Sequence, residues 1–397
     1  MSNTVSFQFA PETGMLTVLL SGRVDSANAS EVEQCIQAEC EKDHPKSLQV
    51  DFDALNYISS AGLRIILRMK KSVPDTVLFN VSSNVYEILE TTGFTEMMDV
   101  RKGYRRISVE GCELIGQGAN GQVFRLDRDT IVKVYRNPDS LPDIQREREL
   151  ARRAFVLGIP TAIPYDVVRV GDGYGSVFEL LDTQSFAKIL VEDPSQLDHI
   201  ARMSVDLLKT IHGTEVQPGE MPDMKSVVLK WVDFLKPYFP ADRYEKLRAL
   251  VDAVPQDLHV MHGDYHIKNV MLQDGEALLI DMDTLCTGNP VFEFGSVYNA
   301  YRGYGEMDPG VTLRFFGIPQ TTTMKLWEEI TALYYDTLSP EQVEQMRKKA
   351  RIIGYTRILR RTIRRNEWET PEGKAFYDLI QNNLFALLDE INTLLPE

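Results

Sequence analysis

The sequence predicts an α/β chain of two domains: a small sheet with packed helices, then a larger α+β part that opens in strands and becomes mostly helical. Three observations carry this expectation. Up to about residue 105, alternating and amphipathic stretches follow one another in the order β-β-α-β-α-β-α. A short basic break, Arg101-Lys102-Gly103-Tyr104-Arg105-Arg106, precedes a restart of strand patterns at Ile107. Beyond about residue 195 helical periodicity dominates, interrupted at 259–282. The expected boundaries are a first domain over 1–102, a linker over 103–109, and a second domain over 110–397. The strand-rich part of that second domain ends near 181 and the helical part starts near 182.

Each element has a local reason. Val5-Ser6-Phe7-Gln8-Phe9 alternates as a half-buried strand does, Pro11-Glu12-Thr13-Gly14 is a turn, and 15–20 reads as the partner strand. A helix fits 27–41, with Val32, Cys35, Ile36 and Cys40 near helical spacing. Strands fit 48–52 and 77–81, helices 61–69 and from 85 onward. In the second part, strands fit 107–115, 121–126 and 130–135. A helix fits 144–157, ended by Gly158 with Pro160 beyond. Strands over 165–170 and 175–181 flank the turn Gly171-Asp172-Gly173. Ser339-Pro340-Glu341-Gln342 is a helix start with Ser as N-cap, Pro at N1 and Gln at N3.

Composition narrows the function classes. With 43% hydrophobic and 25% charged residues the chain is ordinary globular protein. Its net charge of −15 makes it a poor non-specific binder of nucleic acid. No apolar run of membrane-spanning length appears, Met1-Ser2-Asn3-Thr4 leads into alternating sequence where a signal peptide would be basic and then apolar, and Cys35, Cys40, Cys112 and Cys286 include no C-x-x-C pair. The expectation is a reduced cytoplasmic protein with neither nucleic acid nor membrane as partner.

In the first domain, Ser59-Ser60-Ala61-Gly62-Leu63 follows a strand and opens a helix. A serine there caps free helix N–H groups. It is equally placed for phosphorylation, since a phosphate is stabilised by the helix N-terminus while its charge repels a docked partner. With Val24-Asp25-Ser26, Val81-Ser82-Ser83 and the 85–94 stretch, this turn resembles the STAS family of anti-sigma-factor antagonists over about the first 100 residues. The resemblance implies that an anti-sigma-type serine kinase is a partner and that the serine at the turn is phosphorylated. Ser60 matches that position, and Ser59, which stands where Asp is usual, is the second candidate for the phosphate.

In the second domain, Gly116-Gln117-Gly118-Ala119-Asn120-Gly121-Gln122-Val123 fits G-x-G-x-x-G-x-V. Such glycines let a strand–turn–strand backbone approach phosphates, and a ligand-free hairpin would fit as well. Ten residues past Val123, Lys133 lies inside the apolar strand Val132-Lys133-Val134-Tyr135, where a charge is costly unless paired. The next helix offers Glu147 and Glu149 as counter-charges. Further on, His262-Gly263-Asp264-Tyr265-His266-Ile267-Lys268-Asn269 precedes Leu278-Leu279-Ile280-Asp281-Met282-Asp283. Phosphoryl transfer needs a carboxylate near the acceptor hydroxyl and oxygen ligands for Mg²⁺. Asp264 can supply the first, and Asn269 and Asp281 the second, although taken singly Asp264 and Asn269 would fit as loop residues and Asp281 as a strand-end cap. A zinc site on His262-x-x-x-His266 lacks a third ligand and a following glutamate, and no G-x-S-x-G nucleophile elbow occurs.

These motifs make residues from about 107 to 397 resemble the aminoglycoside phosphotransferase and choline kinase branch of the bilobal protein-kinase-like fold. His262-Gly263-Asp264, Asp281-Met282-Asp283 and the helix end Leu208-Lys209-Thr210-Ile211-His212 carry the resemblance. It implies ATP and Mg²⁺ as cofactors and a hydroxyl acceptor on a small molecule or protein. It also implies Asp264 as catalytic base, Asn269 and Asp281 as metal ligands, and Lys133 as phosphate-binding lysine with Glu147 as its partner. Gly116, Gly118, Gly121 and Val123 would cover the phosphates, and backbone near Glu179 and Leu181 would hold adenine. The alternative function is a non-catalytic partner-switching regulator that binds an anti-sigma-type kinase and senses nucleotide.

Two features stay outside these motifs. The basic stretch 347–365 can bind an anion or a membrane surface, but it reads rather as a solvated helix face with core residues between its charges. Trp231, Phe234, Tyr238 and Phe239 read as a packing stripe.

Overall fold

The computed structural model describes residues 4–118, 121–137, 140–181 and 183–396. The chain separates into two compact units, Met1–Ser108 with Val168–Gly171, and Val109–Val167 with Asp172–Glu397.

The first unit runs β1 (Val5–Ala10), β2 (Met15–Val24), α1 (Ala29–Asp43), β3 (Ser47–Ile58), α2 (Ser60–Ser72), β4 (Thr76–Val81), α3 (Ser83–Thr91), α4 (Phe94–Met97), β5 (Asp99–Lys102) and β6 (Arg106–Ile107). Its sheet has the order β1-β2-β3-β4-β5, antiparallel between β1 and β2 and parallel beyond. Period-two alternation drives β2: Leu16, Val18 and Leu20 go into the core with Leu48, Val50 and Phe52 of β3. Arg101 and Lys102, read from sequence as a break, instead end β5. The alternation of Asp99-Val100-Arg101-Lys102 is too short and polar to announce a strand.

The second unit begins with β7 (Glu113–Gln117), β8 (Gly121–Arg125), β9 (Thr130–Tyr135), α5 (Leu141–Val156), β10 (Pro164–Val170) and β11 (Gly173–Glu179). Within its sheet the strands lie in the order β10-β11-β9-β8-β7. The helical part follows with β12 (Gln184–Ser185), α6 (Phe186–Glu192), α7 (Leu197–His212), α8 (Met224–Leu235) and α9 (Ala241–Asp252). Next come β13 (Val260–Met261), β14 (Val270–Gln273), β15 (Glu276–Leu279) and β16 (Cys286–Thr287). The chain finishes with α10 (Pro290–Tyr301), α11 (Gly310–Phe316), α12 (Gln320–Tyr334), α13 (Pro340–Arg364) and α14 (Pro371–Glu390). The capping box read at Ser339 and Gln342 is formed, which fixes where α13 starts. Helix α10 is buried along nearly its whole length and packs against α13. Among the described residues no helix is long and apolar enough to cross a membrane.

Candidate active site

The site grows from Lys133, the charged residue in the apolar strand β9. Its Nζ donates to Glu147 Oε1 of α5 at 2.7 Å and to Asp281 Oδ1 at 2.6 Å. One ammonium therefore joins a helix carboxylate 14 positions away to a second carboxylate 148 positions away. Burial alone would lower the lysine pKa, but the Glu147 and Asp281 charges raise it well above its ordinary value. Tyr135, two residues along the same strand, donates to the other Glu147 oxygen at 2.6 Å. Glu147 is 4% exposed with both oxygens engaged. Glu149, the other counter-charge offered by sequence, lies on another face of α5 and pairs with Arg152 and Arg153.

The glycine-rich turn connects β7 and β8. Val123 stands opposite Lys133 on β9 and opposite Gly116 on β7. Gly118 N–H donates to Gly121 C=O at 2.9 Å. Gly121 lies so close to β9 that a Cβ would come within 2.2 Å of the Val134 carbonyl, so packing excludes any side chain there. Ala119 and Asn120, at the tip of the motif, lie outside the described residues. At the end of β11, the Glu179 carboxylate accepts from Ile163 N–H at 3.2 Å, and its own N–H donates to Ile163 C=O at 3.0 Å. The Leu181 carbonyl accepts from Thr183 N–H at 2.9 Å.

Asp264 lies on the loop between β13 and β14. Gly263 turns this loop with φ +79°, and a Cβ would meet the Thr284 carbonyl at 2.5 Å. Asp264 Oδ1 accepts from Arg357 Nη2 of α13 at 3.0 Å and from the Ser296 hydroxyl of α10 at 3.2 Å. Arg357 Nη1 donates in turn to Ser296 Oγ at 2.6 Å and to the Gly263 carbonyl at 3.1 Å. Oδ2 is left with His266 Nε2 at 3.9 Å. Burial raises the Asp264 pKa, but Arg357, His266 and His262 outweigh it and hold the carboxyl below its ordinary value. Burial pushes His266 down to about 4, so it is neutral near pH 7.

Asn269 is buried. Its Nδ2 donates to the Asp264 carbonyl at 3.2 Å, and its own carbonyl accepts from Ile280 N–H at 2.9 Å. That second bond brings the loop residue beside Asp281. Asp281 adopts a left-handed conformation, φ 64° and ψ 64°, uncommon outside glycine. Burial and the Asp281 and Glu147 charges push neighbouring Asp283 up to about 7. His262, which the metal-site reading paired with His266, has its Nε2 at 3.1 Å from the Ile280 carbonyl. Among the described residues no group of three His, Cys, Asp or Glu side chains has metal-binding geometry.

Sequence reasoning missed Glu293, Ser296 and Arg357. Glu293, fully buried on α10, accepts from the N–H groups of His262 at 2.7 Å, Gly263 at 3.1 Å and Tyr265 at 3.4 Å. One carboxylate thus collects the backbone donors of the loop that carries Asp264. Arg357 corrects the view of 347–365 as a solvated face, because its guanidinium turns inward onto the Asp264 carboxylate.

In the first unit, the Ser59 side chain accepts from Ala61 N–H at 3.2 Å and caps α2. Ser60 is the first residue of the helix and is exposed.

Comparison with known proteins places both units. The STAS domain family matches residues 7–107, and the phosphotransferase enzyme family matches residues 111–327, over half of the chain. BtrV of Bordetella bronchiseptica, named as an anti-sigma factor antagonist, is 36% identical over 91 residues, 22% of this chain and 78% of BtrV. A thermostable mutant of aminoglycoside phosphotransferase APH(4)-Ia, solved as a ternary complex with ADP and hygromycin B, has a TM-score of 0.50 at 13% identity. The match covers 71% of this chain and 96% of that one. A second mutant of the same protein, solved with AMP-PNP and hygromycin B, has a TM-score of 0.50 at 12% identity, covering 70% and 93%. At such identities the likeness is one of fold. The chain belongs to the phosphotransferase enzyme family, and its first unit is a STAS domain.

Proposed function

We propose that the second unit is an ATP- and Mg²⁺-dependent phosphotransferase acting on a hydroxyl, joined to a STAS domain that is regulated at Ser60. The observation that carries this reading is the Lys133 bridge to Glu147 and Asp281. A buried ammonium held between a helix carboxylate and a second carboxylate is poised to donate to phosphate oxygens. Relatives of this fold solved with ADP and AMP-PNP support nucleotide binding. Asn269 and Asp281 fit Mg²⁺, since an amide oxygen and a carboxylate are the hard donors it takes. Carboxylate crowding around Asp281, Asp283 and Glu147, which Lys133 offsets in part, supports the same fit. When bound, the ion would neutralise charge on the transferred phosphate.

Asp264 then does the proton work. Arg357 and Ser296 fix Oδ1, so Oδ2 is the oxygen that takes the acceptor proton as the new O–P bond forms and the terminal phosphoanhydride bond of ATP breaks. Lys133 binds the phosphates, Glu147 and Tyr135 orient Lys133, and the turn at Gly116, Gly118, Gly121 and Val123 covers them. Backbone at Glu179 and Leu181 holds the adenine edge.

Two outcomes check this reading. Lys133→Ala is expected to weaken Mg·ATP by about tenfold or more, the loss of a charged hydrogen-bond donor. Calorimetry on the full chain measures it, and wild-type protein that shows no Mg-dependent ATP binding would refute the reading. For the STAS unit, the exposed Ser60 next to a capping Ser59 supports a phosphorylation switch worked by an anti-sigma-type serine kinase. Ser60→Asp should abolish retention of such a kinase from cell extract, while Ser59→Ala costs about 1 kcal/mol of stability through the lost cap. An unchanged partner set with Ser60→Asp argues against the switch. It would also count against the second reading, in which the chain only switches partners and senses nucleotide.

A further inference from the structure

Resting on the phosphotransferase reading, we infer that the acceptor is a hydroxyl-bearing anion, held by its phosphate or carboxylate against the C-terminal end of α13 beside Trp231.

The first half of the basic stretch is spent on its own neighbours. Arg347 pairs with Glu344, Lys348 with Glu390, Lys349 donates to the Leu395 carbonyl, and Arg351 donates to the Tyr355 hydroxyl. The second half is not neutralised in this way. Arg357 meets Asp264, and Arg361 meets Glu367 at 3.0 Å. Arg360, Arg364 and Arg365 have no acidic partner among the described residues. Five guanidinium groups thus answer to two carboxylates at one helix end, in a chain whose net charge is −15. A helix C-terminus favours cations, so this crowding is tolerated without a ligand, but only in part. Arg360 shows the strain: burial and then the Arg364 and Arg357 charges lower its pKa.

This charge converges on the Asp264 carboxylate. Arg357, bonded to Asp264, has Cζ 5.8 Å from the Trp231 ring centroid, and Arg360 Cζ is 5.7 Å from the same ring. Arg361 Cζ is 5.2 Å from the Tyr304 ring. Burial raises the Tyr304 pKa, and the Arg357, Arg361, Asp264 and Arg365 charges act on the same hydroxyl. Trp231 and the basic helix, read separately from sequence as core stripe and solvated face, therefore form one surface. Its chemistry selects charge. An amino-sugar or a quaternary ammonium alcohol would meet like charges there, while a phosphate or carboxylate would receive planar, bidentate donors from Arg360 with Trp231 fixing their plane. Arg357 stays on Asp264, so the anion sits one helical turn from the base and its hydroxyl can reach Oδ2.

The test uses the full chain saturated with Mg·AMP-PNP, which occupies the nucleotide phosphate site. Calorimetric titrations with inorganic phosphate, malonate and choline probe the two anion classes and a cation. One anion is expected to bind saturably, and phosphate against malonate tells which group is read. Arg360→Ala should weaken that anion about tenfold, Arg360→Lys should restore part of it, and both should keep wild-type affinity for Mg·AMP-PNP. An ATP-consumption screen should then rank hydroxylated phosphates or carboxylates above amino-sugars. Absence of saturable anion binding, anion affinity unchanged by Arg360→Ala and Arg360→Glu, saturable choline binding, or best turnover with a cationic alcohol would each overturn the inference. Loss of Mg·AMP-PNP binding in wild type would instead remove the phosphotransferase reading itself.

Discussion

Asp264→Asn should lower kcat by about 10²–10⁴-fold, the range that a positioned general base supplies, while leaving Mg·ATP affinity unchanged. The substitution preserves volume, and an Asn Oδ1 can still accept from Arg357 and Ser296, so the local hydrogen bonds survive. Only Oδ2 is replaced, by an amide nitrogen that cannot take a proton. Single-turnover measurement with the acceptor selected by the ATP-consumption screen reads the chemical step, and calorimetry reads nucleotide affinity separately. A variant that transfers at wild-type rate would exclude Asp264 as the base. The pH dependence follows from the same geometry. Arg357 and the two histidines keep the folded-state pKa of Asp264 below its ordinary 3.8, despite burial. The ionised base therefore persists through neutral and mildly acidic pH, and any fall in rate between pH 5 and 8 has to come from another group.

The motif residues were legible because each is a costly choice explained by its neighbours. Lys133 in an apolar strand requires an acidic partner, and Glu147 supplies it across 14 positions. Asp264 and Asn269 sit five positions apart on one loop, so their proximity was already implied by their spacing. Serine at 59 and 60 was legible as a helix start, although sequence could not say which serine caps; the Ser59 hydroxyl does, and Ser60 is left exposed. Arg357 was hidden for the opposite reason. Nine Lys and Arg residues share its stretch, and periodicity cannot tell which one of them turns toward a loop 93 positions away. Ser296 gave no signal at all. Glu293 did give one that went unused: Pro290-Val291-Phe292-Glu293-Phe294 places a carboxylate in an apolar run, the same anomaly that exposed Lys133. Its partners are backbone N–H groups, which no sequence pattern displays.

That buried carboxylate sets the second large effect. Glu293→Gln is expected to destabilise the second unit by about 3 kcal/mol, the cost of breaking charged hydrogen bonds in a buried site. Both Glu293 oxygens accept: Oε2 from His262 and Gly263, Oε1 from Gly263 and Tyr265. A glutamine keeps one acceptor and turns an NH₂ toward the N–H of either His262 or Tyr265, each of which bonds only one of the two oxygens. All three tryptophans, Trp231, Trp327 and Trp368, lie in the second unit, so their fluorescence in urea isolates its unfolding from that of the STAS domain. The pH sign is fixed by the same contacts. Burial raises the Glu293 pKa, yet His212, His262 and the Gly263 N–H outweigh it and lower it beneath the ordinary 4.5. Its contribution is thus complete above pH 4.5 and is lost as pH falls through the lower folded-state value. The gap between wild type and Glu293→Gln should be full at pH 7 and narrow in acid. A gap that is absent at pH 7, or that widens as pH falls, would contradict the assignment of Glu293 as the anchor of the Asp264 loop. Loss of that anchor should also lower kcat more than it changes ATP affinity, because the loop carries the base while Lys133 is held from β9 and α5.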